Sequence, residues 1–268
     1  AGQRVWVKYH FKTKQGIQNF TAEQAAAMTG IDPDHATRDL FASIEDGDFP
    51  AWTVSVQIMT ETEAERFPID PFDLTKVWPH AGHPLIEIGE LVLNRNPQNY
   101  FAEVEQSAFS PANVVPGISF SPDKMLQGRL FAYGDAHRYR LGGNHGLLPV
   151  NRPHAAVASN YQRDGAMRFD DNGRGAVNYE PNSFGGPKQD PAAAEPALPL
   201  RGAADRYDHR AGNDDYSQAG DLFRLLDDGA RARLLDNLAG AMRSVPEAIQ
   251  RRQIAHCAKA DPAYGAGV

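Results

Sequence analysis

The sequence predicts an α+β protein in three successive parts, and three observations predict it. Apolar residues alternate with a period of two in segments that all lie before residue 95. From Pro97 to about Arg210 periodicity lapses into a stretch rich in Pro, Gly and Asn, interrupted by one helical segment. From Gly220 to Ala260 apolar residues recur at helical spacing. The expected organisation is strands with helical insertions over 1–95, an irregular wrapping segment over 96–211 with a helix at 122–141, and a helical domain over 212–268.

In chain order, Val5, Trp6, Val7, Tyr9 and Phe11 predict a half-buried strand with odd positions on one face. Thr21 and Gln24 form a capping box ahead of Ala25-Ala26-Ala27-Met28, a helix that Gly30 should end. A second helix is expected from about Pro33 to Asp46, stopped by Gly47. Trp52 to Met59 and Pro84 to Asn94 read as further strands, the latter with Gly89 as a bulge. Glu61 to Arg66 reads as a helical turn. In the wrapping segment, Tyr161, Phe169, Tyr179 and Phe184 favour ordered wrapping over disorder. Its one helix should take Ser121 as N-cap, Pro122 at the first position and Gly142-Gly143 as its stop, with Asp123 complementing the dipole. Gly220 to Ala260 should be helical throughout, Pro246 opening the last helix.

Composition narrows the function. With 27 Lys and Arg against 34 Asp and Glu, the net charge of −7 argues against a partner that is nucleic acid or a membrane surface. Hydrophobic residues at 41% and charged at 23% are ordinary globular values, and 268 residues allow one large domain or two modest ones. No apolar run approaches the roughly 20 residues of a bilayer span. The single cysteine, Cys257, rules out an internal disulfide framework. The opening Ala1-Gly2-Gln3-Arg4, without Met, reads as cut from something longer.

On the helix after Pro122, residues Arg129, Tyr133, His137 and Arg140 fall at about 0°, 40°, 80° and 20° around the axis, one narrow stripe. Periodicity alone leaves open whether three basic groups and a phenol form a solvated face or a binding surface. The literal string settles the choice. Arg129-Leu130-Phe131-Ala132-Tyr133-Gly134-Asp135-Ala136-His137-Arg138 resembles the haem-ligand signature of the haem catalases, in which an Arg stands four residues before the ligand Tyr. Phe72 to His80, Leu93 to Pro97, Tyr100 to Glu103, Phe120 to Gly128 and Asn178 to Phe184 are similar to the same family, in the same order. The resemblance is to the monofunctional, small-subunit type and covers essentially the whole chain.

What the resemblance implies can be stated residue by residue. The fold would be part of the antiparallel catalase β-barrel, followed by the wrapping segment and an α-helical domain, with unpaired strand edges. Tyr133 would be the axial ligand of a haem iron, and the general account of haem ligation already names tyrosine for catalases. Turning a phenol into a phenolate at neutral pH costs roughly 4 kcal/mol, most of which a ferric ion should supply. Arg129 would add a charge-assisted hydrogen bond. His137 and Arg140, roughly 6 and 10 Å further along the axis, would meet the propionates, and Phe109 and Met125 would pack on the macrocycle. The haem would be haem b. A weaker second site, His10, Lys12, Trp78 and His80, matches positions that bind NADPH in some members; an ordinary strand surface with a turn is the other reading.

The implied activity is disproportionation of hydrogen peroxide to water and dioxygen, protecting against oxidative stress, in a cytoplasmic homotetramer. The distal histidine and asparagine of the family match nothing here. None of the nine histidines stands in that motif, and His35, His83, His145, His154, His209 and His256 take no role from the resemblance. The chain thus reads as somewhat more than the C-terminal half of such a catalase. A non-catalytic haem-binding remnant, or a half-protein that needs a partner, is the alternative; a catalase-fold oxide synthase or other peroxidase is a third. Loaded with hemin, the chain alone should remove peroxide at a negligible rate. Turnover near that of an intact catalase, measured as loss of peroxide absorbance, contradicts this expectation.

Overall fold

The computed structural model describes residues 3–154, 162–171, 174–194, 197, 202, 205–206, 208 and 210–268, so Tyr161 and His209 lie outside the described residues. Two compact units share the chain, one drawn from residues 1–4 and 95–200 and the other from 5–94 together with 201–268.

The second unit is built on a three-stranded antiparallel sheet of β1 (Val5–Thr13), β2 (Ala51–Thr60) and β3 (Ile86–Val92), in that order. Val7 faces Ile58, Tyr9 faces Val56 and Phe11 faces Val54, so β-branched and aromatic residues pair across the strands. The β2–β3 register slips between Val54, opposite Gly89, and Ser55, opposite Glu87. Ile88 is the extra residue, and the bulge expected at Gly89 is found beside it. Between β1 and β2 lie α1 (Ala22–Ile31) and α2 (His35–Glu45). Thr21 and Gln24 do form the capping box, but α1 runs past Gly30 to Ile31 and closes with the Asp32 amide on the Met28 carbonyl. The second helix is shorter than the spacing suggests. Asp32 accepts from the Asp34 amide and from Arg38, and that turn delays the start to His35. The helical turn α3 (Glu61–Arg66) starts from a second capping box, Thr60 with Glu63.

The sheet decides which face of the half-buried β1 is covered. Its odd-numbered β1 face, Val5, Val7, Tyr9 and Phe11, is the open one, at 37–57% exposure. Trp6, Lys8 and His10 on the other face are more covered, with Trp6 edge-on to Phe72 at 4.8 Å. Alternation reveals two faces but does not say which one the rest of the chain covers. On that covered face Gln57 and Met59 of β2 are fully buried, and Trp78 packs beside them.

Side chains tie the sheet's 70s loop to the segment that leads into the helices. Lys76, buried, reaches Asp73 and Asp215 at 3.3 Å each. Asn213 donates to both carboxylates, and the Gln218 amide pairs with the N–H and C=O of Val77 as a strand neighbour would. Four helices follow: α5 (Ser217–Leu225), α6 (Asp228–Met242), α7 (Glu247–Ala260) and α8 (Pro262–Gly267). The region is therefore not helical throughout. Asp227 and Asp261 cap new starts by accepting from Ala230 and Ala263 amides, and Pro246 opens α7 rather than the last helix. Six residues are too few to show a helical period, which is why α8 escapes a sequence reading. Phe223 stacks on Tyr264 at 4.8 Å over the buried Cys257. This close packing needs Gly265, where a Cβ would stand 2.7 Å from the Ala258 Cα.

The first unit has few regular elements. A π-helical turn spans Phe101–Glu105, 3₁₀ turns span His145–Leu147 and Pro191–Ala193, and one long helix, α4, runs Lys124–Leu141. Its N-cap is Asp123 rather than Ser121. The Asp123 carboxylate accepts from the Met125 and Leu126 amides at 3.1 Å, a charged acceptor at the positive end of the helix. The Ser121 carbonyl instead takes the Gln127 side chain. Gly142, at φ 97°, ends the helix as expected.

Burial opposes ionisation of Asp73, but hydrogen bonds from the Thr75 hydroxyl and amide, Asn213 and Lys76 outweigh it and hold the carboxyl at about 2. Asp214 also stands at about 2, through the Ser217 hydroxyl and amide and the Tyr216 amide. Both values lie below the ordinary 3.8, so the stability they bring is complete above about pH 4 and fades as pH falls toward about 2. The melting temperature should drop across that acid window, and Asp73→Asn should remove part of the drop. A melting profile of Asp73→Asn that keeps the parent's full acid slope contradicts the account.

Candidate haem site

The candidate site is the stripe on α4, all of it within the first unit. Arg129 and Tyr133 stand one helical turn apart, and the Arg129 Nη2 donates to the Tyr133 Oη at 3.2 Å. The guanidinium carbon lies 5.1 Å from the phenol ring centroid. Among the described residues, that phenol oxygen has no other hydrogen-bond partner. An oxygen with one cationic donor and an open side can bind a metal ion as phenolate, because the guanidinium steadies the negative charge.

Phe109 and Met125, expected against a macrocycle, are 81% and 55% exposed, so neither is used up in protein packing. A phenol, a cation at its oxygen and two open apolar side chains are a donor set that fits a ferric porphyrin.

His137 departs from the expectation, and Arg140 keeps only part of its donors for it. His137 Nε2 donates to the Phe109 carbonyl at 2.7 Å, and its Nδ1 accepts from Arg140 Nη2 at 3.2 Å. Both ring nitrogens are committed, so this histidine has none to offer a propionate. Helical spacing placed it on the right face but could not show what the loop opposite would take from it. Arg140 also donates to the Ser107 carbonyl at 2.6 Å and to that of Glu105. A guanidinium has five N–H groups. Three are used here, which leaves the Nε–H and one Nη1–H for a carboxylate. The His137 ring also lies edge-on to Tyr133 at 6.2 Å and tilted to His145 at 5.7 Å. Asn151, which stands in the irregular stretch where no period marks it, binds the same loop through Gln106 and Ala108.

The second candidate site lies in the other unit, around β1. His10 Nε2 donates to Gln57 Oε1 at 2.9 Å, because the Gln57 amide nitrogen is already given to the Trp78 and His83 carbonyls. His10 and His80 meet edge-on at 6.4 Å. Trp78 does not present the open aromatic surface that was expected. It is 3% exposed, its Nε1 donates to the Pro71 carbonyl, and the Lys8 ammonium lies 4.9 Å over its ring. Burial lowers the Lys8 ammonium below its ordinary value, against the pull of Asp73. Lys12 and His80 are exposed. Gln57, which a sequence reading passes over as an ordinary strand residue, is the buried polar centre of this cluster.

Comparison with known proteins places the chain among families. The family model described as Catalase matches residues 1–186, and one described as Catalase-related immune-responsive matches residues 209–268. The chain is 60% identical over 268 residues to a catalase of the Onchocerca volvulus endobacterium, covering 100% of this chain and 55% of that protein. It is also 60% identical over 266 residues to a catalase of Aliivibrio fischeri, covering 99% and 55%. The solved structure of catalase A from Saccharomyces cerevisiae superposes with a TM-score of 0.90 at 38% identity, covering 99% of this chain and 56% of that one. The chain spans about half the length of the curated relatives it matches.

Proposed function

This chain belongs to the catalase family, and on that premise we propose that the whole protein disproportionates hydrogen peroxide to water and dioxygen at a haem gripped by Tyr133. The observation that carries the reading is the Arg129–Tyr133 hydrogen bond, at a phenol oxygen with no other hydrogen-bond partner among the described residues. When bound, the haem supplies the redox-active iron at which peroxide reacts. The rest is work for the chain's own side chains. Tyr133 gives up its phenolic proton and presents an anionic oxygen, and Arg129 holds that charge through a bond of the stronger, charge-assisted kind. Arg140 turns its two remaining N–H groups to a propionate. Phe109 and Met125 cover ring surface and keep water from it. Haem b is the form proposed, as the resemblance to the family implies.

NADPH is the second proposed ligand. Its phosphates would meet Lys12 and His80, the exposed members of that cluster, with His10 held in place by Gln57. Trp78 serves as interior packing beneath them.

Titration of the chain with ferric hemin, followed in the Soret band, tests the haem reading. Tyr133→Phe should lose at least tenfold in affinity and give a different ferric spectrum. Arg129→Leu should keep the ligand but weaken binding by about 10- to 100-fold, the usual range for a partner of a metal ligand. A Tyr133→Phe chain that binds hemin as the parent does, with the same spectrum, refutes the proposal.

A further inference from the structure

From Glu105, the last residue of the π-helical turn, into the irregular segment after it, the chain is gripped residue by residue. Arg140 donates to the carbonyls of Glu105 and Ser107. Asn151 Nδ2 donates to the Gln106 carbonyl at 2.9 Å, and its Oδ1 accepts from the Ala108 amide at 2.8 Å. His137 donates to the Phe109 carbonyl at 2.7 Å. Five consecutive residues thus each give one main-chain group to a side chain, in a stretch with no strand or α-helix to satisfy them. The segment ends at Phe109, a residue 81% exposed although its carbonyl is pinned.

We propose that Asn151 and His137 are positioning residues that, with Arg140, hold the strap Glu105–Phe109 so that the Phe109 ring forms a preset wall of the haem site. The inference rests on the haem reading above and adds two roles to it. The assignment follows from what each side chain can supply. Asn151 uses its oxygen once and its nitrogen twice, the second time on the His145 carbonyl at 3.0 Å. Only an amide offers an acceptor and two donors from one short side chain. His137 donates through Nε2 and accepts through Nδ1, since Nε2 faces a carbonyl and Nδ1 faces a guanidinium that can only donate. It therefore serves the strap and the Arg140 fork, not a carboxylate. A wall whose backbone is fixed before the ligand arrives loses little freedom when the ligand binds.

Two readouts test this on the same chain: deuterium exchange of the Ala108 amide without haem, and affinity for ferric hemin. Asn151→Leu should speed exchange at Ala108 and weaken hemin binding about tenfold. His137→Leu should weaken hemin binding similarly. His137→Gln, whose Nε2 reaches about as far as the imidazole Nε2, should keep the Phe109 bond and stay near the parent. Should Asn151→Leu fail to fold, Asn151→Ser is the milder variant; its short hydroxyl sets no carboxylate against the Gln106 and His145 carbonyls, and it should fall between parent and Leu. If His137→Gln falls as far as His137→Leu, the imidazole meets the haem directly and the proposal is overturned. Faster exchange at Ala108 with unchanged hemin affinity also overturns it. Failure of the parent to take up hemin while Ala108 stays protected sinks the haem reading itself, and with it the wall.

Discussion

A guanidinium held one helical turn from a phenol is the constraint on which the rest depends. Arg129 and Tyr133 share a face of α4 only because the helix is continuous between them and its start is fixed by Asp123. A bare phenol is a poor ligand at neutral pH, and a cationic donor at its oxygen steadies the negative charge that a bound metal ion calls out. The helix contributes no buried residue among those described. It thus behaves as a rail that carries functional groups at its surface, and its neighbours are chosen for what they hold rather than for what they bury.

The same logic explains how an irregular stretch can be ordered. In the unit around α4, side chains do what a sheet ladder does elsewhere. Arg140, Asn151 and His137 take up the carbonyls and amides of Glu105 to Phe109, and Asn144 and Arg168 join later turns of the segment through the Ala166 and Gln162 carbonyls. In the other unit, Lys76, Asn213 and Gln218 do comparable work between the 70s loop and the helical segment. Loops so rich in Pro and Gly can be specific without a large apolar core, provided their polar groups find partners.

Legibility in the sequence followed the range of each interaction. Local signals were readable: the capping box at Thr21, the turn at Glu61–Arg66, the bulge by Gly89 and the stripe on α4 all depend on residues a few positions apart. The resemblance to catalases carried the meaning of that stripe, which spacing alone left open. Non-local facts were not readable. Nothing near Trp78 says that Lys8 and Pro71 will occupy it, and nothing near His137 says that both its nitrogens will be taken by Phe109 and Arg140. The covered face of β1 was also hidden, because alternation is symmetric between its two sides. Asn151 carries no local signal at all; its role exists only once Gln106 and Ala108 are folded beside it.

Resonance Raman spectroscopy of the hemin-loaded chain tests the central claim most directly, because it reports the bond between the phenol oxygen and iron. Phenolate ring and iron–oxygen bands that appear with hemin, vanish in Tyr133→Phe and persist, shifted, in Arg129→Leu are the result expected. Phenolate bands that survive the loss of Tyr133, or a hemin-loaded chain that shows none, contradict it.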